Sequence, residues 1–312
     1  PRDVLYVFFR VRVEVKKKDF DAALRDCDRA EALKGDQTEV LEERALAFRA
    51  AGAYPEAIEE LGKWIALSPR RASAYSARGR CFSLMGKYPE AIADLEKTLT
   101  LAPDDAVSLN NLAWIFATCP DEKLLNGTRA LELAGKACGL VGWKSLVEID
   151  TLAAASARTG DFVKAVEWEK RAIELCPSEK KKQDCTERLE LYQKGQAYIE
   201  PLRDKEKAVW AAKRSECFQA VWQTVNENYF DPSFGGVDWV AIREKYRARL
   251  WRAADNRALR RLLQEIKKYA EFHFLSEENF MRDIAFDELA AHEKSHSYLL
   301  SELSLRIARV RS

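Results

Sequence analysis

Between residues 4 and 179, apolar and small residues fall in blocks that return every 34 positions. The stretch GAYPEAIEELGKWIALSP at 52–69 comes back as GKYPEAIADLEKTLTLAP at 86–103. Gly52, Tyr54, Ala57, Leu67 and Pro69 reappear as Gly86, Tyr88, Ala91, Leu101 and Pro103. Counting 34 back from Tyr54, Ala57 and Leu67 reaches Phe20, Ala23 and Leu33. A later copy, GDFVKAVEWEKRAIELCP at 160–177, keeps the same internal offsets. A stretched copy lies between, with about five extra residues around Asn126 and Gly127. Each block reads as two helices. The small residue lets the paired helices approach, the aromatic packs into the turn, and Gly and Pro end the helices where the backbone changes direction.

This spacing predicts an all-α chain with five helix pairs at 4–37, 38–71, 72–105, 106–145 and 146–179. An amphipathic closing helix follows, so that this first region extends to 197. The pattern resembles the tetratricopeptide repeat family, which implies an α-solenoid, a right-handed superhelix of helix pairs. Two positions depart from the family pattern: Lys18 stands where Gly is usual, and the fourth repeat has a lengthened loop.

The resemblance implies a concave face built from the first helix of each pair, open to a protein or peptide. Carried over residue by residue, that face presents Phe8, Arg12, Glu42, Leu46, Arg49, Ser76, Arg80, Asn110, Trp114, Asp150 and Arg158. Trp114 is the strongest candidate anchor, because aromatic and Arg side chains dominate interface energies. The alternating charges do not form a simple anion or cation trap.

Beyond about 205 the repeat is lost. Residues 198–259 read as an aromatic-rich helical connector in which a helix ends near Asn228, a DPSFGG loop follows, and a new helix opens at Asp238-Trp239. The stretch at about 208–262 resembles the helical segment preceding the catalytic core of tail-specific (C-terminal processing) proteases. The nucleophile and base of such a peptidase would need more than a hundred further residues, so no catalytic residue is assigned and the chain is read as non-enzymatic.

Residues 260–312 read as a helical hairpin holding all three histidines of the chain, His273, His292 and His296. His273 and Glu277 are four apart, as are His292 and His296, so each pair shares a helix face. A hairpin turning near 283 brings the three imidazoles and one carboxylate together, a set suited to zinc, iron or nickel. The pattern HFxxEExxM followed by HxxxH resembles helices two and three of hemerythrin. That likeness implies metal binding by His273, Glu277, His292 and His296, and O2 or redox sensing as an alternative function. Two hairpins could pair into a homodimer. The alternative without metal, a hairpin whose histidines only pack or face solvent, stays open.

Composition narrows the remaining classes. Lys plus Arg (51) nearly balances Asp plus Glu (50), which gives no electrostatic reason to expect nucleic acid. No run approaches 18 apolar residues, so no membrane span is expected. The seven cysteines are irregularly spaced without a CxxC pair, which favours reduced thiols and a cytoplasmic location.

Overall fold

The computed structural model describes residues 2–201, 215–223, 239–250, 256–283 and 289–308. All regular structure among them is helical. The chain divides into two compact units, Pro1–Ala208 and Val209–Ser312.

The first unit is a stack of five antiparallel helix pairs. They are α1 (Arg2–Lys17) with α2 (Phe20–Ala32), α3 (Gln37–Ala50) with α4 (Tyr54–Leu67), α5 (Ala72–Leu84) with α6 (Tyr88–Leu101), α7 (Ala106–Thr118) with α8 (Gly127–Leu140), and α9 (Leu146–Arg158) with α10 (Phe162–Glu174). The closing helix α11 spans Glu179–Gln193.

Local chemistry sets these boundaries. Asp19, Asp105 and Asp161 each accept a hydrogen bond from the backbone N–H three residues on, and Asp36 does so from Thr38 and Glu39. Pro55 and Pro89 occupy the first turns of α4 and α6, where their missing N–H costs nothing. Gly52, Gly86 and Gly160 adopt φ of 76°, 72° and 87° between paired helices. Lys18 takes the same left-handed conformation, φ 63°, in the first repeat. The substitution seen in the sequence therefore keeps the turn and carries its strain, since a Cβ is disfavoured there.

The pairs close on alanine. Ala23, Ala57, Ala91 and Ala165 are fully buried. At Gly79 on α5, an added Cβ would meet the Ala91 carbonyl at 3.2 Å and Leu95 at 3.1 Å. An ion pair also recurs across the first three repeats. Arg10 bonds Asp26, Arg44 lies 3.6 Å from Glu60, and Arg78 bonds Asp94 at 2.7 and 2.8 Å, each pair sixteen residues apart. All three acids are buried, and each guanidinium bridges the two helices of its own repeat. In the fourth repeat Leu112, fully buried, replaces the arginine, and an apolar cluster takes over.

The lengthened fourth loop contains a single 3-10 turn at Glu122–Leu124. Leu124 and Leu125 pack onto the core, and Asn126 caps α8 through Arg129 N–H.

In the second unit, residues 215–223 (α12), Trp239–Leu250 (α13), Asn256–Asp283 (α14) and Leu289–Ala308 (α15) are helical. Phe218, Trp222, Tyr246, Leu259, Leu263, Ile266, Leu299 and Leu303 share one core. Residues 259 and 260, where composition separates connector from hairpin, are consecutive within α14, and both segments feed that core. The DPSFGG loop and the expected helix end at Asn228 lie outside the described residues. No described helix is long and apolar enough to cross a membrane.

Candidate functional site

The first helices of repeats four and five, together with α11, enclose a cleft of about 260 Å3 lined by Asn110, Trp114, Asp150, Arg188 and Glu200 among others. α7 supplies Asn110 and Trp114, α9 supplies Asp150, and α11 supplies Arg188. At Gly195, φ 69°, the chain leaves α11 and turns back, with Gly195 N–H bonded to the Tyr192 carbonyl and Gln196 N–H to that of Leu191. Residues 196–201 then run without regular secondary structure along this inner surface.

The α7 terminus receives them. Helices leave their last carbonyls without intrahelical partners. Here the Thr118 carbonyl accepts from Glu200 N–H at 2.8 Å, and the Ala117 carbonyl accepts from Arg158 Nε at 2.6 Å. Arg158 donates a second bond, from Nη2 to the Tyr198 carbonyl at 2.9 Å. Trp114 Nε1 donates to the Glu200 carboxylate at 2.5 Å. The Tyr198 ring lies 6.0 Å from that of Trp114, and the Arg188 guanidinium lies over both rings at 5.5 and 5.8 Å. Tyr198 and Glu200 are half-buried while Ile199 between them is exposed, the alternation of an extended chain.

Arg188 also anchors the acidic floor. It donates to Asp150 at 2.8 and 3.0 Å and lies 3.5 Å from the fully buried Glu169. Burial works against its charge, but the carboxylates of Asp150 and Glu169 outweigh that and hold its pKa above the ordinary arginine value. One cation thus faces two acids, and of the two Asp150 takes its hydrogen bonds, with a further one going to Cys185 Sγ at 3.3 Å. Burial, then the charge of Asp150, pushes Glu169 up to about 9, so Glu169 keeps its proton at neutral pH. Asp150, Glu169 and Cys185 bring their donor atoms within 4.8 Å of one another. Arg188 already provides the positive charge there, which makes the cluster an ion-paired core.

A second cleft, about 280 Å3, is lined by Arg12, Glu42, Leu46 and Arg49 together with Leu61 and Trp64. Arg12 Nε donates to the buried Glu43 at 2.7 Å. Burial, then the nearby charge of Arg80, lowers the Arg49 pKa. Arg80 is exposed, and Ser76 shares a hydrogen bond with Ser108 at 2.8 Å, joining α5 to α7. Phe8, assigned to the open face from the repeat register, is buried with Val7, Ala30 and Val40. The turn of α1 that carries Phe8 faces Ala30 of α2 and Val40 of α3, and burying the ring between those helices removes its apolar surface from water. The metal assignment falls on His273, Glu277, His292 and His296, whose side chains lie outside the described residues.

Residues 72–105 match the family model of the tetratricopeptide repeat. The first unit is a tetratricopeptide-repeat solenoid. Residues 211–267 match the Tricorn protease C1 domain, overlapping the stretch read from sequence as similar to a protease helical segment. No curated protein matches the chain. Solved structures similar to it include a thermophilic TPR protein of Thermus thermophilus, at 19% identity, covering 62% of this chain and 98% of that one, with TM-score 0.47. MamA from Desulfovibrio magneticus is 20% identical, covering 56% and 96%, with TM-score 0.47. A further MamA structure is 21% identical, covering 58% and 94%, with TM-score 0.45.

Of the residues assigned to the inner face, Asn110, Trp114 and Asp150 line one cleft, and Arg158 bonds the Ala117 and Tyr198 carbonyls beside it. Arg188, Tyr198 and Glu200 were not singled out from the sequence. Arg188 had one legible signal, its place on the closing helix three residues after Cys185 (both are buried).

Proposed function

We propose that the solenoid is an interaction scaffold whose concave face takes an extended segment of a protein partner, and that the chain performs no catalysis of its own. The observation that carries this reading is how Trp114 and Arg158 engage residues 196–201. They use an indole N–H and a guanidinium, on a side-chain carboxylate and a backbone carbonyl. Groups of this kind suit any extended chain. The test is affinity capture by the full chain and by a Trp114→Ala, Arg80→Ala variant, with circular dichroism on both. A partner retained by the parent and lost by the variant at equal helicity supports the reading; equal capture by both overturns it.

The Tricorn C1 match over 211–267 favours a second reading, in which the second unit is a non-catalytic helical segment of peptidase-type architecture. Incubation of the purified chain with a fluorogenic casein tests it. Cleavage that tracks the protein through purification would overturn the non-catalytic assignment.

A further inference from the structure

Residues 196–201 fill only part of the groove at its fourth and fifth repeats. Two contacts that hold them use backbone groups any peptide offers, a carbonyl for Arg158 and an N–H for Thr118, and a third uses a side-chain carboxylate, for Trp114. The side chains that face inward are an aromatic and, two residues on, an acid. Tyr198 sits beside Trp114 and Arg188.

The cleft next to Glu200 holds polar groups that this segment does not satisfy. Asn110 is 5% exposed, lines the cleft, and its Oδ1 is buried without a hydrogen-bond partner. Asn111 lines the same cleft, and its Nδ2 is likewise buried and unpartnered. Leaving such groups unpaired is costly, so a ligand that pairs them gains affinity. An amide acceptor and an amide donor on consecutive residues are complementary to the N–H and C=O of a peptide backbone.

From this we infer that residues 196–201 are a resident pseudo-ligand, and that the groove's partner is a longer extended peptide carrying an aromatic residue and, two positions later, a carboxylate, which displaces them. The inference rests on the scaffold reading above and specifies its ligand. The resident segment is tethered directly to α11, so it competes at an effective concentration of about millimolar. The parent chain therefore binds a matching peptide only in the fraction of molecules whose segment has lifted.

The probe is a fluorescent peptide copying residues 195–201, Gly-Gln-Ala-Tyr-Ile-Glu-Pro, titrated by fluorescence polarisation. It is added to the full parent chain and to a full-chain Tyr198→Ala, Glu200→Ala variant. The variant is expected to bind at least about tenfold more tightly than the parent. Alanine at the Tyr or Glu position of the probe should abolish the difference. Adding Trp114→Phe, which keeps the ring and removes the N–H donor, should weaken the gain without altering helicity. Equal binding by parent and variant, including no binding by either, overturns the inference, as does a gain insensitive to Trp114→Phe.

Selection of random dodecapeptides on both proteins separates this from failure of the scaffold reading. Peptides that lack the aromatic and acid spacing and depend on Arg12 and Arg49 would sink the pseudo-ligand while leaving the scaffold standing. No enrichment on either protein would sink both.

Discussion

The indole of Trp114 donates its Nε1–H to the carboxylate of Glu200 at 2.5 Å, joining two residues 86 positions apart. The bond ties the fourth repeat to the chain that emerges from the closing helix. It also engages the indole N–H within the molecule itself. Four consequences of the surrounding architecture can be measured.

Lys18 occupies a turn that glycine fills at the equivalent positions 52 and 86, with φ 63° against 76° and 72°. A Cβ in that region costs roughly 1–2 kcal/mol, partly offset by glycine's greater freedom in the unfolded chain. Lys18→Gly is expected to raise stability by about 1 kcal/mol, read as a higher urea midpoint at unchanged slope.

Two glycines within helices should respond oppositely to alanine. At Gly79 the new Cβ meets Leu95, the Ala91 carbonyl and Asp94 between 3.1 and 3.2 Å, where the two helices of repeat three touch. Gly79→Ala should destabilise by about 1–3 kcal/mol. At Gly135, inside α8, an added Cβ meets nothing within 4 Å. Gly135→Ala should stabilise by about 0.5–1 kcal/mol. Thermal melts of the two single variants would refute this account if both moved in the same direction.

Glu169 gives the fold a pH dependence of defined sign. Its folded pKa lies near 9 against 4.5 for the free group, because burial and Asp150 disfavour its charge. Between those values the native state holds a proton that the unfolded state has released, so stability falls as pH rises through that window. Glu169→Gln removes the titration and keeps the neutral shape. Its denaturation midpoint should gain on the parent as pH goes from 5 to 8. A parallel pair of pH curves would show that Glu169 is ionised in the folded protein.

Burial pushes the Cys27 and Cys138 thiols up to about 12 and that of Cys81 to about 11. The thiolate is the reactive form, so these three should resist iodoacetamide in the native protein at pH 8. Cys176 and Cys217 are half-exposed and should be alkylated first. Peptide mapping by mass spectrometry, before and after denaturation, reads the order.

How much of this could be read from the chain depends on the range of each interaction. The turn at Lys18 was visible because Gly52 and Gly86 stand in the same place one and two repeats on. The helix opening at Trp239 was visible from the change after the Gly-Gly pair. The Arg78–Asp94 bridge repeats at Arg10 and Arg44 and was legible in principle, since its sixteen-residue spacing lies within one repeat. Phe8 was misplaced by the same repeat logic. Register assigns it to the open face, but its ring is buried against Ala30 and Val40 on the two following helices, a contact that the 34-residue period does not encode.

The family resemblance assigned Trp114 and Arg158 to the inner face. The sequence by itself determined the helix pairs, their period and their turns. These follow from short-range forces: capping, the backbone freedom of glycine, and apolar positions that must meet within about 34 residues. Only the tertiary structure decided what those two side chains hold. Tyr198 and Glu200 reach them after the chain has passed through α10 and α11 and reversed at Gly195, and no local pattern records where such a segment comes to rest.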